Sequence, residues 1–428
     1  MFKEQNRTAE FGGLILLFSS IFLLLYFVPT NNFFEEIIFF VFGWIGFWLI
    51  RFKKNDSNVF EFGLLLRISL LISTPLLSQD YIRFLWDGYL TIESINPLYY
   101  KPSELFHLFK DNDFAISLYD EISNKNAYST YFPLQQWIFY IAALTKSKLG
   151  GIIILRVMII VFDIATYVVL KRIFQRYDID KNKLALYWLN PLVIIEFTSN
   201  LNTEVMFIFF LLTGLLSLSK MEDIKGGFFL SLSFCSAVFS LFFLPLLLLK
   251  GGKYRWSKFL IGFIPFSALT FIPFVNGEQL EIYFGLLGKY FQTDSHSIYL
   301  LGLIHSLGYN KIEFVYLFCC SLVGMITLII SWKYRYRNRK VLFTGLTLIV
   351  SIILLLFLPL KPAYIIIPLA ISLCTKLSFP LIWSGIGFLF YSYSDNSIPM
   401  GLKNSIMISA FLLLLGFLYK DLKILFKK

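Results

Sequence analysis

Charge is scarce in this chain. Only 15% of its 428 residues are Asp, Glu, Lys or Arg, against roughly a quarter in an ordinary soluble domain. So few charges could not cover the surface of a water-exposed globule of this size. Cysteine is sparse too: Cys235, Cys319, Cys320 and Cys374 all sit inside apolar runs. No CxxC spacing suggests a metal site or a disulfide framework, so they read as small packing residues. The sequence has no Gly-rich phosphate loop and no soluble nucleotide-binding segment, which counts against an ATP-dependent or nucleotide-sugar enzyme. A cleavable signal peptide is not expected either. The first apolar run, residues 11–29, is too long for such a signal's core, and no small-residue cleavage site follows it.

What the chain has in excess is apolar surface. It is 57% hydrophobic and 19% aromatic, with a mean hydropathy of +0.71. Apolar runs of about 18 residues recur along it, each enough for a helix to cross the hydrocarbon of a bilayer. Spans are expected near 11–29, 33–50, 59–77, 150–170, 184–199, 204–219, 257–275, 312–331, 341–360, 362–375, 379–394 and 403–419. The run 226–248 is flanked on both sides by basic residues (Lys220 and Lys225 before; Lys250, Lys253, Arg255 and Lys258 after). It reads as a helix pair that enters and returns, broken at Pro245. The expected fold is therefore all-α: one polytopic integral membrane domain over residues 1–428 with about 12–14 transmembrane helices.

The net charge of +11 reflects topology and does not require a nucleic-acid partner. With the N-terminus in the cytoplasm, cytoplasmic segments hold 26 Lys and Arg against 8 Asp and Glu, whereas external segments hold 10 against 17. That asymmetry fits the positive-inside rule and puts both termini in the cytoplasm. The basic loops "RFKK", "KRIFQRY" and "WKYRYRNRK" then act as topology determinants facing anionic lipid headgroups. The longest non-membrane segment, about 78–149, is external. It is too long for a plain connection and too aromatic for disorder, so short interfacial helices are expected there. One is "YSTYFPLQQWIFYIAAL" (128–144), too short after Pro133 to span, with Trp137 and Tyr140 suited to the interface.

On this topology four segments bring polar groups to the outer face. They carry Asp80, Arg83, Trp86 and Asp87; Glu196, Asn200, Asn202 and Glu204; Asp294, His296, Ser297 and Tyr299; and Lys361 and Tyr364. Ionisable groups beside hydrocarbon are expensive and mark functional sites by default. Singly, each has a plainer reading. Asp80 and Arg83, three apart, could brace a helix start; Glu196 could merely reach the interface; His296 could be an ordinary loop residue. The pairs Arg156 with Asp163 and Glu61 with Arg67 read as internal structural pairs. Their shared side raises the group above its members.

An external cleft at the membrane edge suits chemistry on a lipid-linked substrate. Sugar transfer from a polyprenyl phosphate needs a carboxylate to take the acceptor's proton and cations or donors at the departing phosphate. It also needs aromatic faces and carboxylates to hold sugar and lipid. Asp80 is the first candidate base and Asp87 the second. Arg83 would orient the Asp80 carboxylate, and Lys361 or His296 would meet the phosphate. A monophosphate leaving group demands a divalent metal less than a diphosphate does, so no obligatory metal or other cofactor is expected. A transporter or flippase of lipid-linked saccharides is the main alternative, but it should show paired broken spans in two related halves and a polar site near midplane. A noncatalytic subunit would not need the acidic loop.

The stretch "DYIRFLWDGYLTIESINPLYY" (80–100) resembles the first-external-loop signature of GT-C-fold membrane glycosyltransferases, in particular the bacterial mannosyltransferase-like group. That pattern runs roughly D-x-x-R-Y-x-W-D-G…G-x-N-P, and Asp80, Arg83, Trp86, Asp87, Gly88, Asn96 and Pro97 match it. "YFPLQQWIF" is similar to the group's Y-P-P-L-x-Q helix through Tyr131, Pro133, Leu134 and Gln136. "LNPLVIIE" is similar to its N-P-L-x-x-x-E element through Asn190, Pro191, Leu192 and Glu196, and "FPLIWS" (379–384) to a late segment. The resemblance implies a GT-C membrane domain whose external loop is catalytic. It implies inverting transfer of a hexose, typically mannose, from a polyprenyl-phosphate donor to a glycan or glycolipid acceptor, with Asp80 as general base. A bacterial inner-membrane enzyme with its site on the outer face would follow. Trp86, Asn96, Tyr131, Gln136, Glu196, Asn202, Glu204, His296, Lys361 and Tyr364 would line the substrate. The chain departs from the group at Asn202-x-Glu204 (His-x-Glu or His-x-Asp there), at Lys361-Pro362-Ala363-Tyr364 (often His-Pro-Trp-Tyr) and at "QTDSHS".

Overall fold

The computed structural model describes residues 2–29, 32–50, 56–75, 77–237, 253–274, 324–325, 327–329, 339–357, 361–393, 395 and 397–426. Among them the regular structure is entirely helical, with no strand. Among the described residues, three helices are by themselves long and apolar enough to cross a membrane: Glu10–Phe27, Lys148–Tyr177 and Met400–Ile424. At 30 residues, Lys148–Tyr177 runs about 45 Å, the thickness of a bilayer with its headgroups. The chain is a polytopic all-α membrane protein.

Other expected spans form helices with altered limits. Phe33–Leu49, Glu204–Ser219, Arg339–Phe357 and Pro362–Ser372 fall near their expected positions. The span expected at 59–77 is helical only over Asp56–Ser69. The one expected at 184–199 is not continuous. It consists of a 3-10 turn Lys181–Leu184, a short helix Ala185–Trp188, a turn Pro191–Val193 and a π-helix Ile194–Ser199. The break has a local cause. Pro191 has no N–H to continue the ladder, and Asn190 caps the restart by accepting from the Leu192 N–H at 3.0 Å while donating to Ser384 Oγ at 2.9 Å. The first half of the run 226–248 forms Asp223–Ser236; its 14 residues span about 21 Å, too short to cross. Pro245 and nearly all of the span expected at 312–331 lie outside the described residues.

The chain forms two compact units. One comprises Met1–Ser78, Leu170–Asn202 and Lys361–Lys428; the other Gln79–Val169 and Thr203–Leu360. In the first, the helices Phe2–Phe27 and Phe33–Leu49 meet through glycines. A Cβ on Gly46 would lie 2.6 Å from the Leu17 nitrogen and 2.8 Å from the Gly13 carbonyl. Without a hydrophobic drive in lipid, such close backbone contact supplies the packing energy. Turns that the charge asymmetry puts on one side also bond one another. The Phe33 N–H donates to Asp395 Oδ2 at 3.0 Å, joining two turns expected outside. Asp421 accepts the N–H groups of Ser378 and Phe379 at 2.6 and 2.8 Å, joining two segments expected inside. Arg67 does not pair with Glu61, which is exposed. Its guanidinium lies 3.6 Å from the Trp188 ring and donates to the Gly63 and Trp188 carbonyls at 2.9 and 3.0 Å.

The second unit holds the loop helices Asp80–Ile92 and Pro133–Ala143 and the three-helix set Glu204–Ser219, Asp223–Ser236 and Lys253–Phe271. The loop helices touch at Gly88, where a Cβ would fall 2.1 Å from the Phe139 carbonyl oxygen. Beside that contact the Phe84 and Phe139 rings stack at 4.4 Å. The far side of Pro133–Ala143 exposes Trp137 and Ile141, followed by Leu144. This i, i+4, i+7 stripe has the form of an interfacial helix. Gly88→Val forces the two helices apart and is expected to cost about 1–3 kcal/mol, read as a lower thermal unfolding midpoint in detergent. Gly12→Ala, within a helix at a position where a Cβ meets nothing within 4 Å, should not lower the midpoint.

Candidate active site

Asp80, Arg83 and Asp87 recur every three to four residues and so share one face of the Asp80–Ile92 helix. Arg83 lies between two carboxylates and bonds the C-terminal one. Its Nε donates to Asp87 Oδ1 at 2.7 Å, and its Nη1 donates to the Ala127 carbonyl at 3.0 Å. Arg83 was expected to orient Asp80; the carboxylate it is seen to bond is Asp87. The physical reason lies in the loop's return, which brings Ser129 and Gln136 to the Asp87 side. The Ser129 hydroxyl and Gln136 Nε2 (3.3 Å) both donate to Asp87 Oδ2, and Gln136 Nε2 also donates to Ser129 Oγ at 3.0 Å. Asp87 is fully buried with each oxygen occupied, so its charge is desolvated but neutralised. Asp80, in the first turn of the helix, retains accessible surface.

Two residues expected at the substrate serve the loop's own packing. Trp86 is fully buried, with its ring 6.1 Å from Phe109 and 5.8 Å from Tyr119. Asn96 Oδ1 accepts from the Leu98 N–H at 3.0 Å, and its Nδ2 donates to the Phe274 carbonyl at 2.7 Å. Both placements have a local cause: a large ring in an aromatic-rich loop is more stable between rings than in water, and an Asn before a proline favours a turn. Tyr131 packs edge-on against Phe84 and Phe139. Burial pushes the Tyr81 and Tyr89 phenols above their ordinary value, Tyr89 to about 12, with Glu121 and Glu93 adding to the effect. Both phenols stay protonated at neutral pH and are poor bases. Glu204 is the first residue of its helix.

Glu196 and Asn202 belong to the other unit and do come together. Glu196 sits in the π-helix, a form often found at functional sites. Its Oε1 accepts from the Tyr391 hydroxyl at 2.6 Å and its Oε2 from Asn202 Nδ2 at 2.8 Å, while Asn200 Nδ2 donates to the Tyr391 oxygen at 2.7 Å. All four residues are buried. Lys361 is the N-cap of Pro362–Ser372, with Tyr364 in its first turn. Asp294, His296, Ser297 and Tyr299 lie outside the described residues. Ser129, Gln135, Asn200 and Tyr391 hold these clusters together, and Ser129, Gln135 and Tyr391 were not singled out by sequence. Their only signal is polarity within aromatic stretches, "YSTYFPLQQ" and "FLFYSY". Among the described residues no three His, Cys, Asp or Glu side chains gather as a metal site.

Asp87→Asn leaves the Arg83 charge without its counter-ion, and a loss of about 3 kcal/mol or more is expected. Asp80→Asn, at a position that keeps accessible surface, should cost less. Chemical denaturation of the two purified variants compares them directly.

A family model described as alpha-(1->6)-mannopyranosyltransferase, N-terminal domain, matches residues 32–250, just over half of the chain. No curated protein and no solved structure matches. The matched region includes the 80–100 loop and the 189–207 segment and ends before His296, Lys361 and Tyr364.

Proposed function

The chain belongs to the alpha-(1->6)-mannopyranosyltransferase family and is a membrane mannosyltransferase; from that premise we propose that it takes mannose from a polyprenyl-phosphate donor. The acceptor is a hydroxyl of a glycan or glycolipid at the non-cytoplasmic face. The enzyme sits in a bacterial inner membrane, with its termini in the cytoplasm. Asp80 removes the acceptor's proton as that oxygen attacks the anomeric carbon. The carbon–oxygen bond to phosphate breaks on the opposite side, and polyprenyl phosphate leaves. The anomeric configuration inverts, so a beta-linked donor yields an alpha-linked product.

What carries the choice of base is the contrast between the two loop carboxylates. Asp87 is fully buried, with both oxygens accepting hydrogen bonds from Arg83, Ser129 and Gln136. Asp80 keeps accessible surface at the start of the same helix. A base must reach the proton it removes, and Asp80 is the one that can. Arg83 holds the loop through Asp87. Glu204 binds sugar hydroxyls, and Lys361 and Tyr364, with His296, meet the donor's phosphate and lipid. No obligatory metal is invoked, because a monophosphate leaving group develops less charge than a diphosphate.

In proteoliposomes given a radiolabelled mannosyl-phosphopolyprenol, Asp80→Asn is expected to lower transfer at least about 10²-fold while lowering the unfolding midpoint less than Asp87→Asn does. Transfer at the wild-type rate would overturn Asp80 as the base. Topology is tested separately with Asn124→Cys in a background lacking the four native cysteines. A membrane-impermeant maleimide should label it in intact cells; labelling only after lysis contradicts the external loop.

A further inference from the structure

Two successive glutamines open the Pro133–Ala143 helix and reach different partners. Gln136 holds Asp87 and Ser129. Gln135, which neither the motif nor the family match assigns, points elsewhere. Its Oε1 accepts the Phe132 N–H at 2.8 Å, closing the helix N-terminus. Because a backbone donor occupies the oxygen, the amide orientation is fixed and Nε2 faces outward. Nε2 donates to the Thr203 hydroxyl oxygen at 2.6 Å. Gln135 is 6% exposed and Thr203 2%.

Thr203 is the residue that makes this contact informative. It is the N-cap of Glu204–Ser219, where a threonine hydroxyl normally accepts an N–H of the first turn. Here it makes no such bond. Its hydroxyl is instead committed to Gln135, so one backbone donor of the helix start goes without its usual partner while the link between the two segments is kept. The residue that follows is Glu204. One helix end thus grips the Asp87–Arg83 pair with Gln136 and the turn bearing Glu204 with Gln135.

We propose that Gln135 is a positioning residue that sets Glu204 relative to the acidic loop through the Thr203 hydroxyl. This rests on the proposed function, which assigns Asp80 as base and Glu204 to the sugar. Gln135 itself touches no substrate. It fixes the spacing between two groups that must meet the same sugar, and small misplacements of such groups act on the transition state more than on ground-state binding.

The test is steady-state transfer by Gln135→Met, Thr203→Val and the double variant in proteoliposomes. Each single variant is expected to lower kcat about tenfold with the donor KM within about twofold, and the double variant to lose no more than either single one. Thr203→Ser keeps the hydroxyl and should retain activity. Gln135→Glu should also retain it, because a threonine hydroxyl can donate to a carboxylate, but only while Thr203 is present. Additive losses, or a kcat that falls only as far as the folded fraction does, would overturn the proposal. So would single variants at the wild-type kcat with an active parent, leaving the donor assignment intact. A wild-type protein that transfers nothing from mannosyl-phosphopolyprenol overturns the donor assignment and the role of Gln135 with it.

Discussion

The ion pair between Arg83 and Asp87 is the contact on which the loop's architecture turns. A carboxylate fully removed from water is stable only if its charge is met. Here Arg83 meets it from one turn earlier in the helix, and Ser129 and Gln136 meet it from a segment more than 40 residues later. The same guanidinium reaches the Ala127 carbonyl. Neutralising Asp87 therefore folds the loop back on itself, and the Pro133–Ala143 helix follows, pressed against Gly88. Asp87 is thereby committed to the loop's frame, whereas Asp80 keeps accessible surface at the start of the same helix.

In the first unit, small residues and broken helices solve a related problem. Gly13 and Gly46 let two apolar helices touch backbone to backbone. The interruption at Asn190–Pro191 lets the chain unwind into a π-helix and set Glu196 against Tyr391 and Asn202. A regular helix there would satisfy its own backbone and would not gather those side chains.

Much of the fold was legible because apolar runs and loop charges are one-dimensional properties. The helices at 33–49, 204–219 and 400–426 and the loop helix at 133–143 all lie close to where hydropathy and a single proline put them. The acidic loop was legible as a motif. Its wiring was not. Asp80 and Asp87 are both within a helical turn of Arg83, and the choice between them is made by Ser129 and Gln136, whose approach no local spacing encodes. The burial of Trp86 was not legible, because it depends on Phe109 and Tyr119 closing over the ring. Arg67 read as half of a pair with Glu61, yet its partner is Trp188, brought to it by tertiary packing. The break at 190–191 carried a readable signal in Pro191, overridden by the length of the surrounding apolar run.

In the proposed mechanism Asp80 supplies the base while Asp87 supplies the frame. Chemical rescue separates these roles. A small carboxylate such as formate can stand in for a missing base at an accessible position, but it cannot rebuild a buried ion pair. Added formate is expected to restore mannosyl transfer by Asp80→Ala and to leave Asp87→Ala inactive. Rescue of Asp87→Ala with none for Asp80→Ala would contradict the account.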